Sequence, residues 1–588
     1  MKKILYTIGL SATMLFTACE ADYLDLDPQD TITEAAYFTE PSHFEAAAND
    51  FYNKMVSWRE IDGSSPYDFM DLGTDLTAYT QSYGRGILTT SNGDKYWRNS
   101  YKYIRANNIL LQKASEYKGD KTDIAQYVAE AKFFRAWHHF LLLQRFGGVP
   151  IVTTVLDLES PELQGKRMSR YQVMAQIIAD LNDAIEALPL EQNIPSNKKG
   201  HISKWAAMSF KARVLLFEAT WEKYVGTSTD GDGTSTGAGS EAHNPANVNT
   251  YLTEAVKLTK EVMDNGGYEI WNHNDKLNNG SSYFLFCLED ADSNPAGLDK
   301  SSNKEFILYN KYDYDIYQGG QQISHTVQSR MAASRKFMDM FLCTDGLPIS
   351  KSPLFKGYAK VSHEYQNRDY RQAAYFGKIN NGEIPSDGSV QLKGSRAYDG
   401  RKFRAYNYGT YRAARTESAD YAQIRLAEVY LIYAEALIEL NNAITDEQLN
   451  ASVNKIRNRA GIASLTNALV NDNGLDMLQE IRRERTIELY GENSRYNDLK
   501  RWGIAESELN QDICSSVIEG SEFENNPDLY TPNVYPYGEL SVETGKGTLR
   551  ALLIDPAANR DFKRMHYLYP IPLEEIQLNN SLVQNPNY

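Results

Sequence analysis

The chain of 588 residues has only 4 cysteines. Cys19, Cys287, Cys343 and Cys514 stand far apart, so neither a disulfide framework nor a paired C-x-x-C zinc motif is present. Histidine is scarce as well, 9 in all, with no H-E-x-x-H. His138 and His139 are adjacent, so they cannot share one helix face as a zinc pair does. No Walker A loop occurs. Basic residues are outnumbered, 61 against 77 acidic, for a net charge of −16, and no long basic run occurs. A partner with a phosphate backbone needs a basic stripe, which excludes nucleic acid. After the first residues no apolar run is long enough to cross a bilayer as a helix. Tyrosine is plentiful: 40 Tyr against 21 Phe and 7 Trp. Tyr joins a flat apolar ring to a polar tip and suits wet, half-buried surfaces.

The first residues carry an address. Lys2 and Lys3 precede Ile4–Ala18, an uncharged and mostly apolar stretch too short to span a membrane but suited to a signal peptide. Leu15-Phe16-Thr17-Ala18-Cys19 resembles a lipobox, with Leu one place earlier than usual. The expectation is a lipoprotein signal over 1–18 and a lipid on Cys19, followed by one domain over 19–588. Glu20, Asp22, Asp25 and Asp27 then resemble a surface-export signal of outer-membrane lipoproteins.

Apolar periodicity predicts helices over Asp30–Trp58, Lys95–Tyr117, Ile124–Phe146, Ser169–Leu188, Ser203–Tyr224, Thr250–Asp264, Tyr421–Leu440, Thr445–Ala460 and Gly474–Tyr490. Three of them carry Ala pairs seven residues apart: Ala129 and Ala136, Ala212 and Ala219, Ala427 and Ala434. Small residues two turns apart let a neighbouring helix approach, the packing logic of helix-hairpin repeats. Over 268–416 the helical period fades, and Asn-Gly or Asp-Gly steps at Asn279, Asp345, Asn381, Asp387 and Asp399 predict short hairpins in an irregular lobe. Cys514–Asn559 reads as irregular.

Chemistry-bearing motifs are weak. Glu480, Glu484 and Glu488 share one helix face, and a glycosidase needs two carboxylates roughly 5–9.5 Å apart. The interleaved arginines favour a salt-bridge network that lowers carboxylate pKa values. Gly233–Gly237 matches G-x-S-x-G but lies in a Gly/Ser/Thr run, without the strand and helix of a nucleophile elbow. Asp230, Asp232 and Glu241 fall at calcium-loop positions, but Ser235 stands where Gly is required. No metal and no cofactor are expected.

Three segments carry a family resemblance. Ala129-Glu130-Ala131-Lys132-Phe133-Phe134-Arg135-Ala136-Trp137 leads to Arg145-Phe146-Gly147-Gly148-Val149-Pro150. Ile481–Glu492 is followed by Arg495, Asp498-Leu499, Arg501 and Trp502-Gly503. Leu568-Tyr569-Pro570-Ile571-Pro572-Leu573-Glu574-Glu575-Ile576 leads to a closing Asn585-Pro586-Asn587-Tyr588, with Asn587 where the family usually has Gly. Together they resemble the SusD (RagB/SusD) family. The resemblance implies a mostly α fold with four tetratricopeptide-like helix hairpins and an embedded irregular lobe. It also implies lipid anchoring at the outer-membrane surface, capture of an oligosaccharide or polysaccharide without catalysis, and a SusC-like TonB-dependent transporter as partner.

Pyranose rings stack on aromatic faces while their hydroxyls pair with Arg, Asn, Asp or Gln. Two clusters supply both. The first is Tyr79, Gln81, Tyr83 and Arg85 with Trp97 and Asn99 at the next helix start. The second is Tyr309, Tyr312, Asp313, Tyr314, Tyr317 and Gln318. Trp97, at a loop-to-helix junction, is expected to hold an exposed ring rigidly. Two other functions stay open at this point: a surface glycosidase using the Glu-rich helix, and a structural surface lipoprotein or adhesin.

Overall fold

The computed structural model describes residues 37–55, 57, 69–231, 236–313, 324, 330–377, 385, 387–394, 398–406 and 416–588. Helix α1 spans Pro41–Tyr52, with Pro41 at its first position where a missing N–H costs nothing. It is shorter than Asp30–Trp58, and residues 30–36 lie outside the described residues. Five long helices follow close to their predicted bounds: α2 Lys95–Glu116, α3 Ala125–Phe146, α4 Arg170–Ala187, α5 Lys204–Tyr224 and α6 Asn247–Asn265. Local chemistry sets several starts. Asp94 caps α2, Ser203 caps α5, and Ser169 with Gln172 closes a capping box on α4. Helix α3 stops at Gly147, whose φ of +74° only glycine adopts without strain.

Consecutive helices pack against one another: α1 on α2 and α3, then α2 on α3, α3 on α4, α4 on α5 and α5 on α6. After the lobe the row resumes with α7 Leu426–Asn441 against α6, and α9 Met477–Glu488 against α7; α8 Val453–Arg459 and α10 Arg495–Arg501 flank them, α10 on α5. This is the stacking expected of helix hairpins. The alanine pairs of α3, α5 and α7 are all buried. Aromatic rings fill the seam between α3 and α5: Trp137 stacks on Phe210 at 4.6 Å, and Phe140 meets Phe217 edge-on at 5.4 Å.

Ion pairs brace this row. Arg135 of α3 meets Asp180 of α4 at 2.6 Å, and Arg170 of α4 meets Glu218 of α5 at 2.6 Å. Arg213 of α5 reaches Glu428 of α7 at 2.5 Å, and Arg482 of α9 reaches Glu439 of α7 at 2.8 Å. Such bidentate or buried pairs fix which helix faces which more than they add net stability.

Four expectations need correction. Tyr421–Leu440 is not one helix: Tyr421–Arg425 is strand β2, paired antiparallel with strand β1, Phe306–Asn310, and the helix begins at Leu426. Thr445–Ala460 breaks at Ser452, whose φ of −133° and ψ of −95° are not helical. Cys514–Asn559 is not irregular: β3 Ile513–Val517, β4 Glu539–Thr544 and β5 Gly547–Asp555 form an antiparallel sheet in the order β3-β5-β4. In the lobe the described residues form no hairpin of their own. They form β1, whose partner lies outside the lobe, and short helices at Ser281–Phe284, Arg335–Met340, Val361–Glu364 and Tyr370–Phe376. A turn dipeptide marks where a chain reverses but says nothing of which distant segment supplies the pairing strand. Among the described residues no helix is long and apolar enough to cross a membrane.

Candidate functional site

Residues 70–85 enter the fold through a tight anchor. Asp75 receives Arg495 at 3.0 and 2.8 Å and Lys336 at 2.8 Å. Beyond it the chain runs antiparallel to the lobe: Ser334 donates its N–H to the Leu76 carbonyl, and Ala78 donates to the Ala332 carbonyl at 2.8 Å. Tyr79, partly exposed, follows directly on this bridge. On the other side of the same lobe segment, Ala333 donates to the Tyr398 carbonyl. The 398–406 stretch leads to Tyr406, partly exposed and edge-on to Phe284 at 5.4 Å. Phe403 on the way holds a φ of +76°, unusual for a bulky residue, with its ring against Phe286 at 5.2 Å. Backbone in this region is held in place by its packing. Sequence reading passed over Tyr406, although it belongs to a Tyr-rich run (Tyr398, Tyr406, Tyr408, Tyr411) that was visible.

Other members of the first cluster are committed elsewhere. The Tyr83 hydroxyl donates to the Phe69 and Met70 carbonyls at 3.2 Å, and its ring meets Tyr496 edge-on at 5.4 Å. Gly84 permits this fold of the loop: a Cβ there would lie 1.8 Å from the Gly73 carbonyl oxygen. Arg85 donates to both oxygens of Asp555, at 3.0 and 2.6 Å, tying the loop to the end of β5. Asn99 is partly buried one turn into α2.

Trp97 corrects an expectation. It is 4% exposed, its ring packed against Tyr101 at 5.1 Å and Phe146 at 5.3 Å. Its backbone N–H points to the capping Asp94, which also holds Arg145 at 2.7 Å. The helix period carried the warning: Trp97, Ile104 and Asn108 lie at i, i+7 and i+11, the inner face of α2.

The second cluster rests on a different part of the fold. The Tyr312 N–H donates to Asp420 at 2.9 Å, and Lys300 donates to the Tyr312 carbonyl at 2.6 Å and to Asp420 at 2.7 Å. Tyr309 and Tyr312 are partly exposed and pack on the edge of the core, and Asp313 is exposed. Tyr314, Tyr317 and Gln318 lie outside the described residues, as does Cys19.

The Glu-rich helix is a closed charge network. Arg371 meets Asp369, Glu484 and Glu488 at 2.7, 2.6 and 2.9 Å; Arg425 meets Glu305 at 2.8 Å and Glu488 at 2.6 Å; Arg459 also contacts Glu488. Burial alone would raise the Glu488 pKa, but Arg459, Arg425 and Arg371 hold it well below the usual carboxylate range. Glu480, Glu484 and Glu488 are each at most 1% exposed, so they cannot flank a sugar bond. Asp230 is equally committed: it accepts from Tyr171 at 2.7 Å and Ser240 at 2.8 Å. Asp232 and Ser235 lie outside the described residues. Among the described residues no His, Cys, Asp or Glu cluster could hold a metal, and Cys287, Cys343 and Cys514 are buried free thiols.

A groove of about 750 Å³ runs between Lys336, Asp339, Met340, Ile349 and the β4 residues Leu540 and Val542. Among the described residues no aromatic ring lines it, so these residues offer a sugar no stacking face. Tyr79, Tyr406, Tyr309 and Tyr312 are each partly exposed.

Comparison with known proteins agrees with this architecture. Residues 22–216 match a family described as starch-binding and associating with the outer membrane, and residues 295–588 match the SusD family. A SusD-like protein of Bacteroides ovatus is 24% identical, over 85% of this chain and 83% of its own length. SusD-like protein P25 of Formosa agariphila is 23% identical, over 97% and 95%. Among solved structures, a SusD-like carbohydrate-binding protein from Bacteroides fragilis NCTC 9343 superposes with a TM-score of 0.68 at 22% identity, covering 93% of this chain and 99% of that one. A laminarin-binding SusD-like protein superposes with a TM-score of 0.54 at 19% identity, covering 94% and 100%. These structural likenesses carry the mostly helical fold, and the match across the second half of the sequence carries the lineage: the chain belongs to the SusD family.

Proposed function

We propose that the protein binds an oligosaccharide or polysaccharide at the cell surface and passes it to a SusC-like TonB-dependent transporter without breaking a bond. The observation that carries this reading is the pair of family matches, one described as starch-binding and outer-membrane-associated, the other SusD. The laminarin-binding structural neighbour supports a glucan or a related glycan as ligand class. The absence of catalysis is supported by the Glu-rich helix, whose carboxylates are buried and arginine-paired. Cys19 carries the lipid that holds the protein to the outer membrane, facing outward.

The binding rings are Tyr79 and Tyr406, on either side of the Ala332–Ala333 segment, with Tyr312 and its neighbours Tyr314 and Tyr317. Stacking on a partly exposed, backbone-anchored ring loses little conformational entropy. Glycan-array and calorimetric screening of the soluble protein, with laminarin and starch oligosaccharides included, tests the reading. Binding without released sugar is expected. No affinity for any glycan, or released reducing sugar lost in a folded Glu484→Gln variant, would overturn it. Tyr312→Ala and Tyr79→Ala are each expected to weaken binding about tenfold, or about 1.4 kcal/mol, with the helical signal intact. Trp97→Ala is expected to act on folding instead, costing about 3–5 kcal/mol of stability. Cys19→Ala is expected to release the protein from membranes; persistent attachment with no loss of lipid label would remove the anchor. Co-purification with a TonB-dependent barrel from solubilised outer membranes tests the partner.

A further inference from the structure

Helix α10 carries one cation into the interior that no carboxylate answers among the described residues. Lys500 is 1% exposed. Its ammonium donates to the Gln144 carbonyl at 3.2 Å and lies 4.8 Å from the centre of the Tyr496 ring. The arginines around it are all matched: Arg145 by Asp94 at 2.7 Å, Arg213 by Glu428 at 2.5 Å, Arg485 by Asp498 at 2.9 Å and Arg501 by Glu435 at 2.6 Å.

Lys500 and these arginines line one cavity of about 150 Å³ among α3, α5, α7, α9 and α10. Its apolar lining includes Trp137, Phe140, Phe210 and Leu216. Lys500, Gln144 and Asn497 line it as well, together with the carboxylates of Glu428, Glu492 and Asp498, each already held by an arginine: Arg213 at 2.5 Å, Arg425 at 2.7 Å and Arg485 at 2.9 Å. Gln144 and Asn497 are only partly buried, so the cavity is reached from solvent past them.

An isolated ammonium inside a protein is costly. It must lose its proton or gain a counter-charge. Burial, with Arg145 and Arg170 nearby, pulls the Lys500 pKa down to about 7, so the protein by itself supports the charge poorly. A single water needs roughly 10–15 Å³ of such space, and this cavity has room for a small ion and its residual waters.

We propose that the cavity is an anion site, in which one small monovalent anion, a halide or a carboxylate such as acetate, sits against Lys500 and the amides of Gln144 and Asn497. The anion completes the charge balance of the helical core. This inference stands apart from the glycan reading, since no residue is shared between the two sites.

The test uses the soluble chain of residues 20–588. Its thermal midpoint is followed against sodium bromide and sodium acetate, with sodium gluconate, much bulkier than either anion, holding ionic strength constant. A saturable rise with bromide or acetate is expected. Lys500→Met removes the unpaired charge in a similar volume. It should fold at least as well as the natural chain in gluconate and show no anion-specific rise. Crystals soaked in bromide should show an anomalous peak within hydrogen-bonding distance of the Lys500 ammonium. Whichever anion gives the larger saturable shift identifies the class. Equal responses of the natural chain and Lys500→Met overturn the proposal, and a peak alongside equal responses marks an adventitious ion only. A Lys500-dependent rise without a peak at Lys500 overturns the location, and with it the site.

Discussion

Glu435 is fully buried and accepts from Arg501 at 2.6 and 2.8 Å and from the Trp502 indole at 2.6 Å. Burial by itself would raise its pKa, but Arg501, with Arg485 and Arg482 behind it, brings it down to about 2. An acid whose folded pKa lies below its unfolded value binds fewer protons when folded. Its contribution is therefore complete above about pH 4.5 and drains away as the pH falls towards about 2. The shift corresponds to about 3 kcal/mol. Urea midpoints between pH 2 and 5 should fall with acidification, and Glu435→Gln, though less stable overall, should show a flatter fall. An identical slope in both proteins would show that other carboxylates carry the acid sensitivity. Lys500 is the opposite case, a buried ammonium that no carboxylate pairs with among the described residues. The two differ not in burial but in whether a charged neighbour arrives from elsewhere in the chain.

At the scale of the element, the start of α4 shows how much two side chains do. Ser169 accepts the Gln172 N–H at 3.2 Å, the Gln172 side chain accepts the Ser169 N–H at 3.0 Å, and the Ser169 hydroxyl also donates to the Glu241 carbonyl. Ser169→Ala is expected to cost about 1 kcal/mol, seen as a lower urea midpoint at unchanged slope. A midpoint that does not move would mean that the helix start is held by packing alone. This cap was readable because its atoms lie three residues apart. The strand at Tyr421–Arg425 was not readable, because the strand that pairs with it, Phe306–Asn310, lies more than a hundred residues back. Its Ile424 and Leu426 continue smoothly into the apolar stripe of α7, so periodicity merges strand and helix. The β3-β5-β4 sheet was hidden by the same cause together with its prolines, Pro527, Pro532 and Pro536, which lie in the connection before β4 rather than in a strand.

At the scale of the molecule, the lobe is fastened to the helical row by Arg371. Its side chain, fully buried, bridges Asp369 in the lobe to Glu484 and Glu488 on α9. Arg371→Met leaves three carboxylates short of a partner, and removing one member of a buried network costs about 3–5 kcal/mol. The thermal midpoint should fall, and amides over 361–377 should exchange faster while α2–α5 keep their protection. Unchanged exchange over 361–377 would show that apolar packing, not this arginine, joins lobe to row. Across the whole chain, helix positions, their caps, the signal-like start and the three family segments were legible from residues close together in sequence, because helical periodicity and capping act over about four residues. The pairing of Arg213 with Glu428, 215 residues apart, the burial of Trp97, the emergence of Tyr406 and the solitude of Lys500 were settled only by tertiary structure. Exposure and charge partners depend on what distant segments bring alongside, and no local pattern records that.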